Sequence, residues 1–203
     1  MVVASSSKNS SEKKALRQQL RKSRNAIPES QQLDTSQNIC QHLYALPIFN
    51  RANTVAIYSA LDGEVDITLL SGNKNKTWFL PLISDGLRPW ETLGLCFQQA
   101  SQDGIYRQNK YGIKEPIPNI HEEINPLMLD IVLLPLVGFD RQGNRLGMGK
   151  GYYDRTFGLD KCRWRRPIMI GIAHAEQECS ELDAQSWDIP LDFIVTELEL
   201  ITC

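Results

Sequence analysis

A continuous apolar segment that leads into a glycine-rich loop is the feature that most constrains how this chain folds. Residues 131–137 are apolar without alternating polar positions, and residues 168–173 repeat the pattern. Strands of this type are typical of the centre of a parallel sheet, where other elements cover both faces. Because helical patterns precede and separate such strands, the sequence predicts an α/β layered domain.

Helices are predicted over residues 12–27 and 29–46, where apolar residues recur at near-helical spacing. The expected buried stripes are Leu16, Leu20 and Ile27 in the first helix and Leu33, Cys40, Leu43 and Leu46 in the second. β-branched and aromatic residues predict further strands over residues 54–60, 77–82, 93–97 and 193–196. A short helix is expected over residues 150–157, and an irregular loop over residues 109–125.

The 203-residue length predicts one domain. Residues 1–11 are poor in bulky apolar groups, so we expect a disordered tail ahead of a single domain over residues 12–203. The tail is rich in serine and free of acidic residues, as organellar transit peptides are, but it contains no arginine. A targeting segment therefore stays open as an alternative to a plain tail.

Composition limits the classes of protein that this chain can belong to. The longest apolar run, residues 131–139, is far shorter than the ~20 residues of a membrane helix, so no membrane partner is expected. Five cysteines without a CxxC pair predict reduced thiols and a cytoplasmic protein, with an organellar compartment left open. The three histidines lack zinc-site spacing.

Charge is distributed unevenly along the chain. The net charge is only −2, yet residues 1–26 carry +6 and the remainder carries −8. A basic helix on an acidic body can hold an anion in the protein's own site or bind an external polyanion. Because no RNA-binding or zinc-finger motif is present, nucleic acid is not an expected partner, although a nucleic-acid-binding module remains the alternative.

The loop after the first central strand carries residues that suit phosphate chemistry. Its glycines let backbone amides approach an anion, its two basic side chains add positive charge, and its closing aspartate suits a hard metal ion. These residues are Gly147, Gly149, Gly151, Arg145, Lys150 and Asp154. The spacing satisfies neither the P-loop pattern nor the dinucleotide-binding pattern, so a plain glycine connection between strand and helix also stays open.

The segment GFDRQGNRLGMGKGYYDR, residues 138–155, resembles the signature of the 5-formyltetrahydrofolate cyclo-ligase family, also called methenyltetrahydrofolate synthetase. Four shorter segments resemble other parts of the family in chain order: KKALR at 13–17, YSALDGEVD at 58–66, KYGIKEP at 110–116 and WDIPL at 187–191. The resemblance covers roughly residues 12–196, which is essentially the whole predicted domain.

This resemblance implies a three-layer α/β/α sandwich with a mostly parallel sheet, similar to the NagB/RpiA/CoA-transferase-like fold. It implies an ATP- and Mg²⁺-dependent ligase, expected as a monomer. The enzyme would convert 5-formyltetrahydrofolate to 5,10-methenyltetrahydrofolate and release ADP and phosphate. Sugar-phosphate isomerases and coenzyme A transferases share the implied fold, so they stay as alternative functions.

The resemblance assigns ATP binding to the start of the first helix and to the glycine-rich loop. The implied residues are Lys13, Lys14, Arg17, Arg145, Leu146, Gly147, Met148, Gly149, Lys150, Gly151, Tyr152 and Tyr153. Arg145 and Lys150 are the implied catalytic residues, since cations stabilise a phosphoryl group in transfer. A solvated basic face is the alternative for the helix, and Met148 stands where some relatives have a basic residue.

Folate binding is implied for the turn after the first strand and for parts of two loops. The implied residues are Tyr58, Ser59, Glu64, Glu115, Met148, Gly149, Lys150, Gly151 and Tyr152. The Glu64 carboxylate would accept two hydrogen bonds from the pterin. Asp154 and Asp188 are the implied Mg²⁺ ligands, because Mg²⁺ needs only one or two carboxylates beside phosphate oxygens. Each acid could instead be an ordinary surface residue.

Overall fold

The computed structural model describes residues 3–83, 94–100, 104–109, 111–158 and 166–203. Residues 1–2, Leu93 and Lys110 of the predicted segments lie outside this described part, as does Cys162, one of the five cysteines.

The described ranges contain four α-helices, and two prolines mark helix starts. Pro28 immediately precedes the second helix, and Pro47 begins the third, where the missing backbone N–H costs no helical hydrogen bond. The helices are α1 (Val3–Asn25), α2 (Glu29–Ala45), α3 (Pro47–Arg51) and α4 (Tyr152–Phe157).

Two predictions about the helices are corrected. Helix α1 begins at Val3 rather than Glu12, so its backbone is helical where a disordered tail was predicted. Once a helix has nucleated, its extension through Ala and Ser costs little free energy. In α2, Leu33 is 55% exposed and lies off the buried stripe, where Ile39 is fully buried instead. The assignment of residues 12–203 to one domain stays a prediction.

Twelve strands occur in the described ranges, and eleven of them lie beyond the first third of the chain. In chain order they are β1 (Thr54–Ala56), β2 (Thr77–Ile83), β3 (Leu95–Gln99), β4 (Tyr106–Gln108), β5 (Lys114–Pro116), β6 (Glu123–Ile124), β7 (Ile131–Pro135), β8 (Gly138–Phe139), β9 (Arg145–Leu146), β10 (Ile168–Ile172), β11 (Phe193–Val195) and β12 (Leu200–Thr202).

Eight of these strands form one sheet in the order β12-β11-β10-β7-β1-β2-β3-β6. The five central strands, from β11 to β2, pair in parallel, whereas β12, β3 and β6 pair antiparallel at the edges. The predicted α/β class with a mostly parallel central sheet is therefore confirmed. Similarity to the NagB/RpiA/CoA-transferase-like fold stays a prediction.

Two small antiparallel pairs stand apart from this sheet. Strands β4 and β5 form one pair, within a region largely predicted as irregular loop. Strands β8 and β9 form the other, and the turn between them closes with a 3.2 Å hydrogen bond from the Gly143 N–H to the Asp140 carbonyl. The glycine-rich loop follows directly after β9, the second strand of this pair.

Both faces of the central strands are buried, as their lack of alternation predicted. Ile131 and Leu133 of β7 pack into the cluster that contains residues of α2 and α3. Val132 and Leu134 point to the opposite face and pack into the cluster that contains Phe157 of α4. Other elements therefore cover the sheet on both sides.

A third, smaller cluster fixes α1 at the end of the central strand. Leu20 of α1 packs against Val137, which follows β7, and against Leu146 of β9. This contact holds the basic helix beside the glycine-rich loop.

Across the residues that the structure describes, we find no helix with both the length and the apolar character of a membrane span.

Candidate active site

The glycine-rich loop, residues 147–151, connects β9 to α4 beyond the carboxyl end of β7. Gly149 and Gly151 have left-handed φ angles of 85° and 62°, a conformation that residues with side chains rarely adopt. A Cβ atom added at Gly147 would meet no described atom within 4 Å. The loop thus presents bare backbone toward open space, which is the arrangement an anion needs.

Arg17 of α1 brings a cation to this loop. Its Nε donates a 2.8 Å hydrogen bond to the Gly147 carbonyl oxygen. Its guanidinium carbon would lie 3.6 Å from a Cβ atom at Gly149. The contact joins two segments, far apart in the chain, for which the sequence predicted a shared role in phosphate binding.

The other predicted cations of α1 and the loop are arranged differently. Lys13 Nζ donates a 2.6 Å hydrogen bond to the Asp183 carbonyl and lies 3.7 Å from the Asp183 carboxylate. Lys14 and Lys150 have exposed side chains. The N-terminus of α4 adds little positive potential, because α4 begins only at Tyr152 and has six residues. Positive charge at this site therefore comes from side chains.

Arg145 and Asp154 form an ion pair behind the loop. Arg145 Nη2 donates to Asp154 Oδ1, and Arg145 Nη1 donates to the Ile189 carbonyl oxygen. The Ile189 N–H also donates to Asp154 Oδ1, at 3.1 Å. The Arg145 side chain is only 7% exposed and that of Asp154 22%, so the pair is largely withdrawn from water.

Asp188 lies near the Arg145–Asp154 ion pair, because the next residue, Ile189, is hydrogen-bonded to both members of that pair. Asp188 Oδ2 accepts a 2.9 Å hydrogen bond from the Gln185 N–H, which closes a turn. The second oxygen of the other predicted metal ligand, Asp154 Oδ2, would lie 4.0 Å from a Cβ atom at Gly151, on the side of the glycine-rich loop. The chain thus brings the two predicted metal ligands to one region beside the loop.

A magnesium ion fits this donor set, although the described residues contain no group of three or more histidines, cysteines and acids that could hold a metal by itself. Mg²⁺ usually takes one or two carboxylates and completes its shell with phosphate oxygens and water. Asp154 and Asp188, beside the open backbone of the glycine-rich loop, match that requirement.

The turn that carries Glu64 lies at the same edge of the sheet, because β1 and β7 are parallel and both chains leave the sheet there. The Leu61 N–H donates a 3.1 Å hydrogen bond to Glu64 Oε2. Arg24 Nη1 lies 3.8 Å from Glu64 Oε1, and the Glu64 side chain is 13% exposed. Glu64 is therefore a largely buried carboxylate with one close cation.

Burial raises the pKa of Glu64 to about 7, against the opposing effects of the Arg24 charge and the Leu61 N–H. Desolvation is the largest cause, because water stabilises a carboxylate far better than the interior does. Glu64 thus changes charge near neutral pH, which is a common property of groups that act on ligands.

Two tyrosines interact electrostatically with this carboxylate: Tyr58 is buried and Tyr153 is partly buried. Burial raises the pKa of Tyr58 well above its ordinary value, and the Glu64 charge raises it further. The pKa of Tyr153 is raised by burial and by the same Glu64 charge, while the Arg145 charge opposes the shift. The Tyr58 hydroxyl donates to the Val65 carbonyl oxygen at 2.7 Å. Because the charges of both Glu64 and Arg145 affect the pKa of Tyr153, this side chain lies between the Glu64 turn and the Arg145–Asp154 pair.

Ser59 and Glu115, unlike Glu64, form hydrogen bonds with the β4–β5 pair. Ser59 Oγ donates a 2.8 Å hydrogen bond to the Lys114 carbonyl, which attaches the β4–β5 pair to the end of β1. The Glu115 carboxylate is buried and bound by Arg107 Nε and Asn109 Nδ2, both at 3.1 Å. Both of its oxygens therefore hold the two strands together in the free protein.

Tyr152 has contacts on two sides. Its hydroxyl lies 3.1 Å from that of Tyr111, in the loop between β4 and β5. The Arg155 guanidinium lies 5.0 Å from the centre of its ring. The Tyr152 ring therefore stands between the glycine-rich loop and the β4–β5 pair, while Met148 on the same loop is 49% exposed.

Sequence reasoning missed Arg24, which organises the Glu64 turn. A signal was present, because residues 20, 24 and 27 share one helical face, and both Leu20 and Ile27 were expected to be buried. A charged residue in a buried stripe requires partners. His174 was also missed as a support: its Nε2 lies 3.1 Å from the Gly63 carbonyl, and nothing in its sequence surroundings indicates that contact.

A mostly parallel sheet with a glycine-rich loop and basic side chains at the carboxyl ends of its central strands is the arrangement in which α/β enzymes place their sites. The sequence model of the 5-formyltetrahydrofolate cyclo-ligase family matches residues 9–197. The chain therefore belongs to this family, as its resemblance implied.

Individual relatives and a solved structure agree with that assignment. The chain is 34% identical over 186 residues to a 5-formyltetrahydrofolate cyclo-ligase of Haemophilus influenzae, covering 90% of this chain and 96% of the relative. The Escherichia coli K12 protein of the same name is 32% identical over 180 residues, covering 87% and 96%. The NMR structure of the Aquifex aeolicus 5,10-methenyltetrahydrofolate synthetase superimposes with a TM-score of 0.78 at 32% identity, covering 94% of this chain and 92% of that one.

Proposed function

We propose that this protein converts 5-formyltetrahydrofolate to 5,10-methenyltetrahydrofolate at the expense of ATP, with release of ADP and phosphate. The observation that carries the proposal is the contact of Arg17 with the Gly147 carbonyl, which brings the basic helix to an open glycine-rich loop. Family membership supports the reaction type, and the loop supports a phosphate-bearing co-substrate.

Phosphoryl transfer overcomes the low reactivity of the formyl group. The formamide carbon is a poor electrophile, and its oxygen is a poor leaving group. Transfer of the γ-phosphoryl group to the formyl oxygen releases ADP and gives an iminium phosphate. N10 then attacks the carbon and loses its proton, the carbon–oxygen bond breaks, and phosphate leaves with the former formyl oxygen. The protein mainly positions the reactants and neutralises charge.

Backbone and cations of the loop region would bind the triphosphate. Amides of residues 146–153 would point at the phosphate oxygens, and Arg17 would exchange its bond to the Gly147 carbonyl for one to phosphate. Charge-assisted hydrogen bonds of this kind contribute roughly 1.5–3 kcal/mol each. The exposed side chains of Lys14 and Lys150 can turn toward the phosphates at little cost, whereas Lys13 must first leave Asp183.

Arg145 is proposed to act from behind the loop. Two of its five N–H groups hold Asp154 and the Ile189 carbonyl. Its charge therefore adds to the positive potential that the phosphates experience, while its hydrogen bonds fix Asp154. Asp154 and Asp188 are the residues that would hold Mg²⁺. When bound, the ion supplies charge neutralisation between the phosphate oxygens.

The region around Glu64 is proposed to bind the pterin. An ionised Glu64 can accept hydrogen bonds from the pterin amino group and ring N–H. Tyr58, Ser59 and Tyr152 would form the pocket walls, and Tyr152 offers a ring for stacking. Glu115 supports this wall through Arg107 and Asn109 rather than by a free carboxylate, so a direct folate contact would require it to exchange partners.

A spectral assay tests the proposal. Purified protein with 5-formyltetrahydrofolate, ATP and Mg²⁺ is expected to form a product with the near-ultraviolet absorbance band of a methenyl folate. Omitting ATP, or replacing it with a non-hydrolysable analogue, should abolish the band. A flat absorbance trace at every ATP concentration would contradict the proposal. Turnover of a sugar phosphate or coenzyme A ester without ATP would favour the isomerase or transferase alternatives.

A further inference from the structure

We infer that Arg24 is a positioning residue for the folate site: its guanidinium fixes the turn that carries Glu64 and anchors it to the end of the central strand. The inference rests on the proposed function and adds to it a residue outside the motifs that carry the family resemblance. The hydrogen bonds of Arg24 go to the Glu64 turn and to the residue just after β7, not to the glycine-rich loop or to a reacting atom.

Arg24 is buried and uses its whole fork. The residue is 1% exposed. Its Nε donates to the Asp62 carbonyl at 2.9 Å, its Nη2 donates to Asp62 Oδ2 at 3.1 Å, and its Nη1 donates to the Leu136 carbonyl at 3.2 Å. Leu136 directly follows β7. One side chain thus connects α1, the Glu64 turn and the central strand.

The turn depends on this support because its backbone is strained. Asp62 has a left-handed φ of 57°, which is unfavourable for a residue with a side chain, and Gly63 has a φ of 74°. A Cβ atom at Gly63 would lie 2.5 Å from Asn25 Oδ1, so the turn presses against the end of α1. Arg21 Nε and Asn25 Nδ2 complete the hold on the Asp62 carboxylate, at 2.7 and 2.8 Å.

Arg24 also faces Glu64 electrostatically, with Nη1 3.8 Å from Glu64 Oε1. The other charged groups that influence Glu64 are Arg21 and Asp62, and the Glu64 charge in turn raises the pKa values of Tyr58 and Tyr153. Of the two cations, Arg24 has the larger effect in favour of the ionised carboxylate. Its loss would both release the turn and make Glu64 harder to ionise.

The position of Arg24 on α1 predicts an effect on folate and not on ATP. Arg17 contacts the glycine-rich loop, whereas Arg24 lies about two turns further along the same helix and contacts the Glu64 turn. A general weakening of α1 would affect both substrates. Loss of a folate-positioning residue would raise the KM for 5-formyltetrahydrofolate alone.

The first test is steady-state kinetics of Arg24→Lys, which keeps the charge but loses the planar fork. We expect the KM for 5-formyltetrahydrofolate to rise about tenfold and the KM for ATP to change less than about twofold. Arg166→Lys is the matched control, because Arg166 forks onto Asp192 at 2.7 Å through both Nη atoms, at a site not linked to Glu64. The control should leave both KM values unchanged.

The second test measures kcat/KM for 5-formyltetrahydrofolate against pH in Arg24→Gln, with its folding verified by circular dichroism. The midpoint of the profile should move upward by about one pH unit relative to wild type, a tenfold loss on the acidic side. The shift should vanish when Arg24→Gln is combined with Glu64→Gln. If Arg24→Gln does not fold, the kinetics of Arg24→Lys decide alone.

The outcomes separate this inference from the proposed function. A wild-type protein without ATP-dependent turnover would overturn the proposed function itself. An active wild type whose Arg24→Lys variant keeps a normal folate KM would overturn the inference alone. Equal increases in the KM for folate and the KM for ATP would overturn it as well, because they would indicate general damage to α1.

Discussion

At the scale of single residues, burial determines which charged groups already have fixed hydrogen-bond partners and which can contact a ligand. Arg145, Glu115 and Arg24 are buried and hydrogen-bonded to fixed partners. Lys150 stands on the loop with an exposed side chain. The residues with fixed partners shape the site, and in the proposed reaction the exposed cation would be the group most able to follow the transferred phosphoryl group.

Replacement of Lys150 by alanine tests that distinction. We expect Lys150→Ala to lower kcat about 10²-fold or more, because the transition state would lose a cation that stabilises the phosphoryl group in transfer. Its folding should be unaffected, because the side chain is exposed. Lys74→Ala, at an exposed lysine of another loop, is the control in the spectral assay. A rate equal to wild type would remove Lys150 from the site.

Glu64 makes stability depend on pH in a defined direction. The folded protein holds the Glu64 proton up to about pH 7, whereas the unfolded chain releases it near pH 4.5. Between these values the folded state binds more protons, so the free energy of unfolding falls as pH rises, by on the order of 3 kcal/mol. Glu64→Gln should lack this fall when urea unfolding is compared at pH 4.5 and pH 8. Parallel curves for variant and wild type would contradict the raised pKa.

Asp154 is predicted to control the magnesium requirement. Asp154→Asn should shift the Mg²⁺ dependence of turnover to higher concentration, since an amide oxygen is a weaker ligand than a carboxylate. Asp34→Asn, an exposed acid of α2, serves as the control. If the magnesium titration of Asp154→Asn overlays that of wild type, the residue is not a metal ligand.

At the scale of elements, α1 and the glycine-rich loop form one unit with the ends of β1 and β7. The helix contacts the loop through Arg17 and the Glu64 turn through Arg24, while Leu20 packs between these points. Alternate contacts along one helix thus serve the ATP side and the folate side of the proposed site.

The left-handed glycines of the loop provide a prediction at this scale. Gly149→Ala should raise the KM for ATP and cost about 1–2 kcal/mol in unfolding free energy, because Gly149 has a φ of 85°. Gly72→Ala is a matched control, since a Cβ there meets nothing within 4 Å and its φ is ordinary. Equal effects of the two substitutions on ATP use would show that the loop conformation is not required.

The sequence predicted elements well where periodicity is strong and poorly where pairing is non-local. The central strands β7 and β10 were predicted because both of their faces are apolar. The strands that were missed are two or three residues long, and so short a segment has no readable period: β4, β5, β6, β8, β9 and β12. The start of α1 was placed late because Ser-rich residues are weak helix signals when read alone.

At the scale of the whole molecule, the parallel sheet explains why distant segments meet. Residues 13–17, 58–66, 138–155 and 187–191 were recognised separately in the sequence, and strands β1 and β7 bring the second and third to one edge. What the sequence lacked was the detail of partners: it indicated neither that Glu115 is fully bound by Arg107 and Asn109 nor that Asp154 pairs with Arg145. Such partners depend on tertiary distances, which spacing does not encode.

Isotope transfer from the formyl group tests the central claim most directly. The substrate would carry ¹⁸O in its formyl oxygen, and the inorganic phosphate formed with ATP and this protein would be analysed by ³¹P NMR or mass spectrometry. Phosphorylation of the formyl oxygen predicts phosphate with one ¹⁸O atom per turnover. Unlabelled phosphate, with the ¹⁸O released to water, would contradict the account.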